Sequence, residues 1–249
     1  MENVKLSELA NEMSEYYDKL YVQSEAFIKT KPEAMSLSVV NLMKLPIYRQ
    51  AHNFTCGVAC VQSALRYVGY DLDTREDKLL KILESTPANG TNRAKIKEFL
   101  NNVTYSEDYS EEDPRIFNDL EWKSFNGGPY DQEIAPFNEL WETLSGESAK
   151  PVICIIQAWG DPTKYSIEND DGHYVIAVGT AHDSDNKSYI IFMDPSTAGG
   201  YTYIERDEFM TRWHDSDGDE SNEPLNYYGL VLDYKEKPKS EESIFYKLG

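Results

Sequence analysis

Cys56, His173 and Asp194 are the residue types that a thiol nucleophile, its base and an orienting acid require. A thiol attacks a carbonyl carbon efficiently only when a base takes up its proton. That base is held in place by a carboxylate or amide on its second ring nitrogen. Because the three residues lie far apart in the sequence, the elements around them must bring them together.

The residues after Cys56 predict a helix that begins close to the thiol. Apolar side chains recur at helical spacing, and Gly69 is a typical C-terminal signal. The apolar positions are Val58, Val61, Ala64, Leu65 and Val68. Thr55 is a common N-cap residue type, so Cys56 is expected in the first turn, where the helix dipole and free amides stabilise thiolate. Cys60, one turn deeper, is expected to be a small core residue.

His173 and Asp194 lie at the ends of two consecutive strand-like segments. His173 opens an apolar segment at 174–180, and Asp194 directly follows a second segment at 189–193. If the segments pair as a hairpin around 181–187, their outer ends meet at the same end of the sheet. The hairpin would therefore place the histidine beside the acid.

The order of the remaining elements predicts an α+β fold. Helices are predicted at residues 74–84, 91–102 and 136–145, and strands at 151–158, 174–180, 189–193, 201–204 and 229–234. The strands are short, rich in β-branched and aromatic residues, and separated by turn residues, which favours a mostly antiparallel sheet. Residues 104–134 are rich in acidic, Asn, Gly and Tyr residues and are expected to be irregular. Helices followed by strands are typical of the α+β class.

The chain is expected to consist of a helical N-terminal arm and one larger domain. Residues 6–28 carry apolar side chains at helical spacing with charged residues between them, and Pro32 is expected to end this helix. We therefore predict an arm at residues 1–41 and one larger domain at residues 42–249.

The composition restricts the expected partners and location. With 44 acidic and 24 basic residues, the net charge is -20, which repels nucleic acid and suits a neutral or cationic peptide. Aromatic residues in loops are expected to add to the walls of the cleft: Tyr105, Tyr109, Tyr130, Trp159 and Tyr165. No apolar stretch approaches the roughly 20 residues of a membrane span, so no membrane partner and a cytoplasmic location are expected. Three cysteines do not form a disulfide framework, which raises the question of a reactive thiol.

Other histidines and cysteines offer competing interpretations. His52 is close to Cys56 in sequence, but a loop residue so near rarely reaches over the thiol as a base. His182 and His214 are expected to face solvent from polar loops. A zinc site built from Cys56, Cys60 and a histidine would lack the second ligand pair of a structural zinc module.

Two further motifs are similar in sequence to known functional sites. Residues 215–220 alternate carboxylates as in a calcium loop, but the glycine is at the fourth position and the last acidic ligand is absent. A solvated acidic loop is the favoured interpretation. Gly127-Gly128 could be a cleavage site, but it precedes Pro129 and is better explained as a turn.

One combination of motifs resembles a known family. Gln50 is followed after five residues by Cys56-Gly57-Val58-Ala59-Cys60, and far downstream come Gly172-His173-Tyr174 and Asp194-Pro195. This order resembles the papain-like cysteine peptidases, in particular the double-glycine leader peptidases that process bacteriocins, over about residues 45 to 234. The resemblance implies that Gln50 donates its side-chain amide to the oxyanion, together with the backbone N–H of Cys56.

The resemblance implies a papain-like fold and a reaction. An N-terminal helix carrying Cys56 is expected to pack on an antiparallel sheet carrying His173 and Asp194. The expected activity is hydrolysis of a peptide or small amide through a thioester acyl-enzyme, with no cofactor and no metal. An acyltransferase or transpeptidase of the same fold, or a catalytically silent binding or scaffold protein, is the alternative.

Overall fold

A computed structural model describes residues 37–69, 75–104, 115–125, 134–158, 172–196, 201–215 and 225–235. Within these residues the strands are β1 (Ser38–Leu42), β2 (Trp122–Ser124), β3 (Val152–Gln157), β4 (Gly172–His182), β5 (Ser188–Met193), β6 (Thr202–Glu205) and β7 (Tyr228–Val231). The helices are α1 (Cys56–Tyr67), α2 (Glu76–Ile82), α3 (Arg93–Asn102), α4 (Ala135–Ser145) and α5 (Arg206–Arg212). Several predicted features lie outside the described residues: the helix at 6–28, Gly127-Gly128, most of the acidic loop 215–220, and the five loop aromatics.

The seven strands form one sheet: six follow the order β2-β7-β3-β4-β5-β6, β1 pairs with β4 beside this path, and every described pair is antiparallel. The long central strand β4 pairs along one edge with β5. Its other edge is shared, because β3 pairs with residues 172–177 and β1 with residues 179–182. Helices with an antiparallel sheet confirm the predicted α+β class.

Helices cover both faces of the sheet. Successive strand residues point to opposite faces. Met193 contacts Ser63 of α1, with the hydroxyl oxygen 3.6 Å from the sulfur. The ring of its neighbour Phe192 packs against Phe209 of α5, with ring centroids 5.4 Å apart. Residues 56–65 of α1 are all buried, so this helix lies inside the domain rather than on its surface.

The sequence patterns did not predict β1, β2 or α5. Strand β1 carries two exposed valines, Val39 and Val40, and so lacks the alternation that marks a half-buried strand. It approaches β4 at Gly179, where a Cβ would lie 2.3 Å from the carbonyl oxygen of Asn41. Strand β2 has three residues in a segment expected to be irregular, and it forms by pairing with β7. Residues 38–41 fall on the arm side of the predicted boundary at 41/42, yet they pair in the sheet.

No helix in the described ranges is long and apolar enough to cross a membrane. The predicted helices at 74–84, 91–102 and 136–145 are present, and none of their ends is shifted by more than two residues.

Candidate active site

The helix α1 begins at Cys56, so the thiol lies at its N-terminus. Cys56 is 6% exposed. Thr55 occupies the predicted N-cap position, but its hydroxyl does not cap the helix. Instead the hydroxyl accepts from the His52 N–H at 3.2 Å and donates to the His52 carbonyl at 3.0 Å. The prediction that the Thr55 side chain caps the helix was therefore wrong. In the first turn, the amide of Gly57 hydrogen-bonds the Cys56 sulfur.

The hairpin of β4 and β5 places His173 beside Asp194. The strands pair from Ile176 with Met193 to His182 with Ser188, which confirms the predicted hairpin. Asp194 follows β5 directly, is fully buried, and accepts from His173 Nε2 at 2.8 Å. His173 also makes a side-chain hydrogen bond with the Cys56 thiol.

Ser196 also hydrogen-bonds the Asp194 carboxylate. Its backbone N–H and its hydroxyl each donate to Asp194 Oδ1 at 2.8 Å. The same oxygen therefore accepts three hydrogen bonds, one of them from His173. A hydroxyl residue two positions after an aspartate is a recognisable turn signal, and it could have been read from the sequence.

The electrostatics of the pair favour a thiolate and an imidazolium. Burial by itself raises the pKa of Cys56, but the hydrogen bond and charge of His173, with the backbone amides of Tyr174 and Gly57, lower it below its ordinary value. Burial by itself lowers the pKa of His173, but the charge and hydrogen bond of Asp194, then those of Cys56, raise it above its ordinary value. The proton therefore resides preferentially on the imidazole.

The other two cysteines have the opposite electrostatic environment. Cys60 is fully buried and its thiol donates to the Tyr174 carbonyl, with the sulfur 3.4 Å from the oxygen. Burial, then the nearby negative charges of Cys56 and Asp194, raises the pKa of Cys60. Burial also raises the pKa of Cys154. Of the three thiols, Cys56 is the one whose pKa is lowered.

Gln50 lies beside the Asp194 turn. Its backbone N–H donates to the Pro195 carbonyl at 3.0 Å. Its side-chain amide donates to the His52 carbonyl at 2.9 Å, in the loop that precedes α1. The structure thus joins Cys56, His173 and Asp194 by direct hydrogen bonds and connects Gln50 to them through the Pro195 backbone.

The remaining histidines are placed elsewhere. His52 is exposed and stacks on Phe54, with ring centroids 5.3 Å apart. His182 was expected to be a solvent-facing loop residue, but it ends β4, is half-buried, and packs 4.9 Å from the Trp141 ring. That expectation was wrong because β4 continues to residue 182. His214 is also half-buried, and its carbonyl accepts from Gln157 Nε2 at 3.1 Å.

Two side chains next to the pair were not predicted as part of the site. The Tyr174 hydroxyl donates to the Thr91 carbonyl at 3.0 Å. Thr91 is buried and packs on Gly57, where a Cβ would lie 2.7 Å from the threonine Cβ. No local pattern could have revealed contacts between segments more than 30 residues apart.

A buried thiol at a helix N-terminus, bonded to a histidine that a carboxylate holds on a neighbouring strand, is the arrangement found in papain-like cysteine peptidases. The model of the Peptidase_C39 like family matches residues 42–220. The chain belongs to that family, and it is a cysteine peptidase of the papain-like class.

Solved structures of double-glycine peptidases are similar to this chain. One is a double glycine motif protease from an AMS/PCAT transporter in complex with the leader peptide, with 15% identity and a TM-score of 0.45, covering 78% of this chain and 95% of that one. Another is the peptidase domain of Streptococcus ComA, a bi-functional ABC transporter involved in a quorum sensing pathway. It has 14% identity and a TM-score of 0.45, covering 77% of this chain and 100% of that one. No curated protein matches the sequence.

Proposed function

We propose that the protein hydrolyses peptide bonds with Cys56 as nucleophile, His173 as general base and acid, and Asp194 as the residue that orients His173. One observation carries the proposal: the His173 side chain hydrogen-bonds Asp194 through Nε2 at 2.8 Å and also hydrogen-bonds the Cys56 thiol. Membership of the Peptidase_C39 like family supports the reaction class.

The first half of the reaction forms an acyl-enzyme. The Cys56 thiolate attacks the carbonyl carbon of the scissile bond, and the carbonyl oxygen becomes an oxyanion. The His173 imidazolium then gives its proton to the leaving amine, and the C–N bond breaks. The products of this half are a thioester on Cys56, a free amine and a neutral imidazole.

The second half regenerates the enzyme. Neutral His173 takes a proton from water, and the resulting hydroxide attacks the thioester carbonyl. The C–S bond breaks, the carboxylic acid product leaves, and the thiolate and imidazolium are restored. Asp194 stabilises the imidazolium at both stages and keeps Nδ1 directed at the sulfur.

We assign the oxyanion to two donors, the backbone N–H of Cys56 and the side-chain amide of Gln50. The Gln50 side-chain amide is a hydrogen-bond donor, and its bond to the His52 carbonyl holds it in the loop that leads into Cys56. The bond from Gln50 N–H to the Pro195 carbonyl supports this role, since it fixes Gln50 to the turn that carries Asp194.

The proposed substrate is a neutral or cationic peptide, since the net charge of -20 opposes the approach of acidic ones. We assign the reaction to residues 42–249 and an accessory role to the arm at residues 1–41. The family match, which begins at residue 42, supports this division.

Alkylation tests the ion pair directly. Iodoacetamide at about pH 6 should modify wild-type Cys56 rapidly, because its lowered pKa favours the reactive thiolate. A thiol with an ordinary pKa is almost entirely protonated at this pH and reacts slowly. His173→Gln should slow this reaction by roughly 10-fold or more, since the partner that lowers the pKa of Cys56 is gone. His182→Gln is the matched control and should react like wild type.

Turnover tests the reaction class. A peptide library should be cleaved by wild type and left intact by Cys56→Ala. Equal alkylation of wild type and His173→Gln, together with no cleavage of any peptide, would favour a scaffold protein over an enzyme.

A further inference from the structure

Thr91 contacts the chain neighbour of each member of the Cys56-His173 pair. Gly57 directly follows Cys56, and a Cβ there would lie 2.7 Å from Thr91 Cβ and 2.9 Å from Thr91 Cγ2. Glycine is therefore the residue that allows Thr91 to lie directly on the first turn of α1. On the other side, Tyr174 directly follows His173, and its hydroxyl donates to the Thr91 carbonyl at 3.0 Å.

Thr91 is itself held firmly. It is 4% exposed, and its hydroxyl is hydrogen-bonded to that of Ser85 at 3.0 Å. The loop before it is closed by a pair of backbone hydrogen bonds between Thr86 and Gly90, each 2.9 Å long. Immediately after it, α3 begins with the Asn92 side chain as its cap. A residue anchored on both sides can transmit its position to the elements that touch it.

Tyr174 has a second connection to the helix. Its backbone N–H hydrogen-bonds the Cys56 sulfur, and its carbonyl accepts from the Cys60 thiol at 3.4 Å. A displacement of Tyr174 would therefore move the strand backbone relative to two successive turns of α1.

We propose that Thr91 and Tyr174 are positioning residues that set the distance between Cys56 and His173 by clamping the first turn of α1 to the start of β4. This proposal rests on the proposed function, because the distance matters only if the two residues act as an ion pair. Neither positioning residue is assigned a role in the chemical steps.

The clamp has a consequence for the pH dependence of the thiol. The ionisable groups that face the pair are Asp194 on His173, and the thiol of Cys60 near Cys56. Loosening the clamp leaves these groups in place but lengthens the contact between sulfur and imidazole. The Cys56 thiolate is then farther from the His173 imidazolium, so the pKa of the thiol rises and a higher pH is needed to form the thiolate.

Tyr174→Phe tests the clamp with the smallest change. It removes the hydroxyl that donates to Thr91, a neutral hydrogen bond that contributes about 1 kcal/mol, which equals roughly a 5-fold change in an equilibrium. Alkylation of Cys56 at about pH 6 should fall roughly 3- to 10-fold, and its pH midpoint should rise by about 0.5 to 1 unit. The kcat should fall by a similar factor with little change in KM.

Tyr201→Phe is the matched control. The Tyr201 hydroxyl donates to the Leu45 carbonyl at 2.9 Å, so this variant loses the same kind of bond between a phenol and a backbone carbonyl outside the clamp. It should lower the melting temperature about as much as Tyr174→Phe while leaving the alkylation profile unchanged. This comparison separates positioning from general stability.

Thr91→Ser provides an independent test, because it removes the methyl group that lies against Gly57 and keeps the hydroxyl and the carbonyl. Like Tyr174→Phe, it should raise the pH midpoint of Cys56 alkylation. The clamp is refuted if both variants keep the wild-type midpoint, or if Tyr201→Phe shifts it equally. If instead the pH dependence of alkylation of wild-type Cys56 is that of an ordinary thiol, the proposed function itself is refuted, whatever the two variants show.

Discussion

Replacing Asp194 by asparagine tests whether the buried negative charge, and not only a hydrogen-bond acceptor, sustains the ion pair. Three donors converge on Asp194 Oδ1: His173 Nε2 and the Ser196 N–H and hydroxyl, each at 2.8 Å. The asparagine oxygen should occupy this position, since only the oxygen can accept from these donors. The substitution thus keeps the geometry and removes the charge.

The expected magnitude follows from the difference between charged and neutral hydrogen bonds. A hydrogen bond to a charged group contributes about 1.5–3 kcal/mol and a neutral one about 0.5–1.5 kcal/mol. The imidazolium of His173 therefore loses about 1–2 kcal/mol of stabilisation in this variant. This corresponds to roughly a 5- to 30-fold fall in kcat/KM at the optimum and to a fall of about one unit in the pKa of His173.

The direction of the pH shifts can be worked out from the wild-type pKa values. In the proposed mechanism the pair acts as thiolate and imidazolium together, so it forms above the lowered pKa of Cys56 and is lost above the raised pKa of His173. In Asp194→Asn, burial still lowers the pKa of His173 while the charge that opposed it is gone. The alkaline limb should move to lower pH and the acid limb to higher pH, which narrows the optimum.

The measurement is kcat/KM and the Cys56 alkylation rate from about pH 4 to about pH 10. Asp183→Asn is the matched control. It changes the net charge equally at the opposite end of the same hairpin, where Asp183 accepts from two turn amides and from the Tyr189 hydroxyl. An unchanged pH profile in Asp194→Asn, or an equal shift of the pH profile in Asp183→Asn, would refute the claim that the Asp194 charge sustains the ion pair.

Three further predictions concern the oxyanion, the substrate and the arm. Gln50→Ala should lower kcat roughly 10- to 1,000-fold with little change in melting temperature, since only the transition state loses a donor; unchanged turnover would remove Gln50 from the oxyanion site. A basic peptide should be cleaved faster than a matched acidic one, and its advantage should shrink as salt shortens the screening length to about 8 Å; a preference that ignores salt would indicate a local pocket instead. A variant that begins at residue 37 keeps β1 and should retain turnover of short peptides, whereas loss of turnover with unchanged melting temperature would assign the arm to the active site.

Local patterns were sufficient for the helix and the hairpin that carry the candidate site. The helical spacing after Cys56 and the turn between two apolar strands depend on residues near in sequence, and both elements are present as predicted. Once β4 and β5 pair, their alternation and length bring His173 and Asp194 together. The catalytic roles of these residues remain predictions.

Short elements could not be recognised because their stability comes from distant partners. Strand β2 has three residues and forms on β7, and β1 uses the space that Gly179 leaves beside β4. Seven-residue α5 is below the length at which a helix is stable alone, and it is held by packing such as that between Phe209 and Phe192.

Composition and local periodicity are enough to predict the helix that begins at Cys56 and the hairpin that joins His173 to Asp194, because both depend on residues near one another in the sequence. How that helix and the sheet meet depends instead on the folded core. The hydrogen bond between Cys56 and His173 and the contacts of Thr91 with Gly57 and Tyr174 cross between elements far apart in the chain. Their geometry depends on packing of the whole core, which no local pattern encodes.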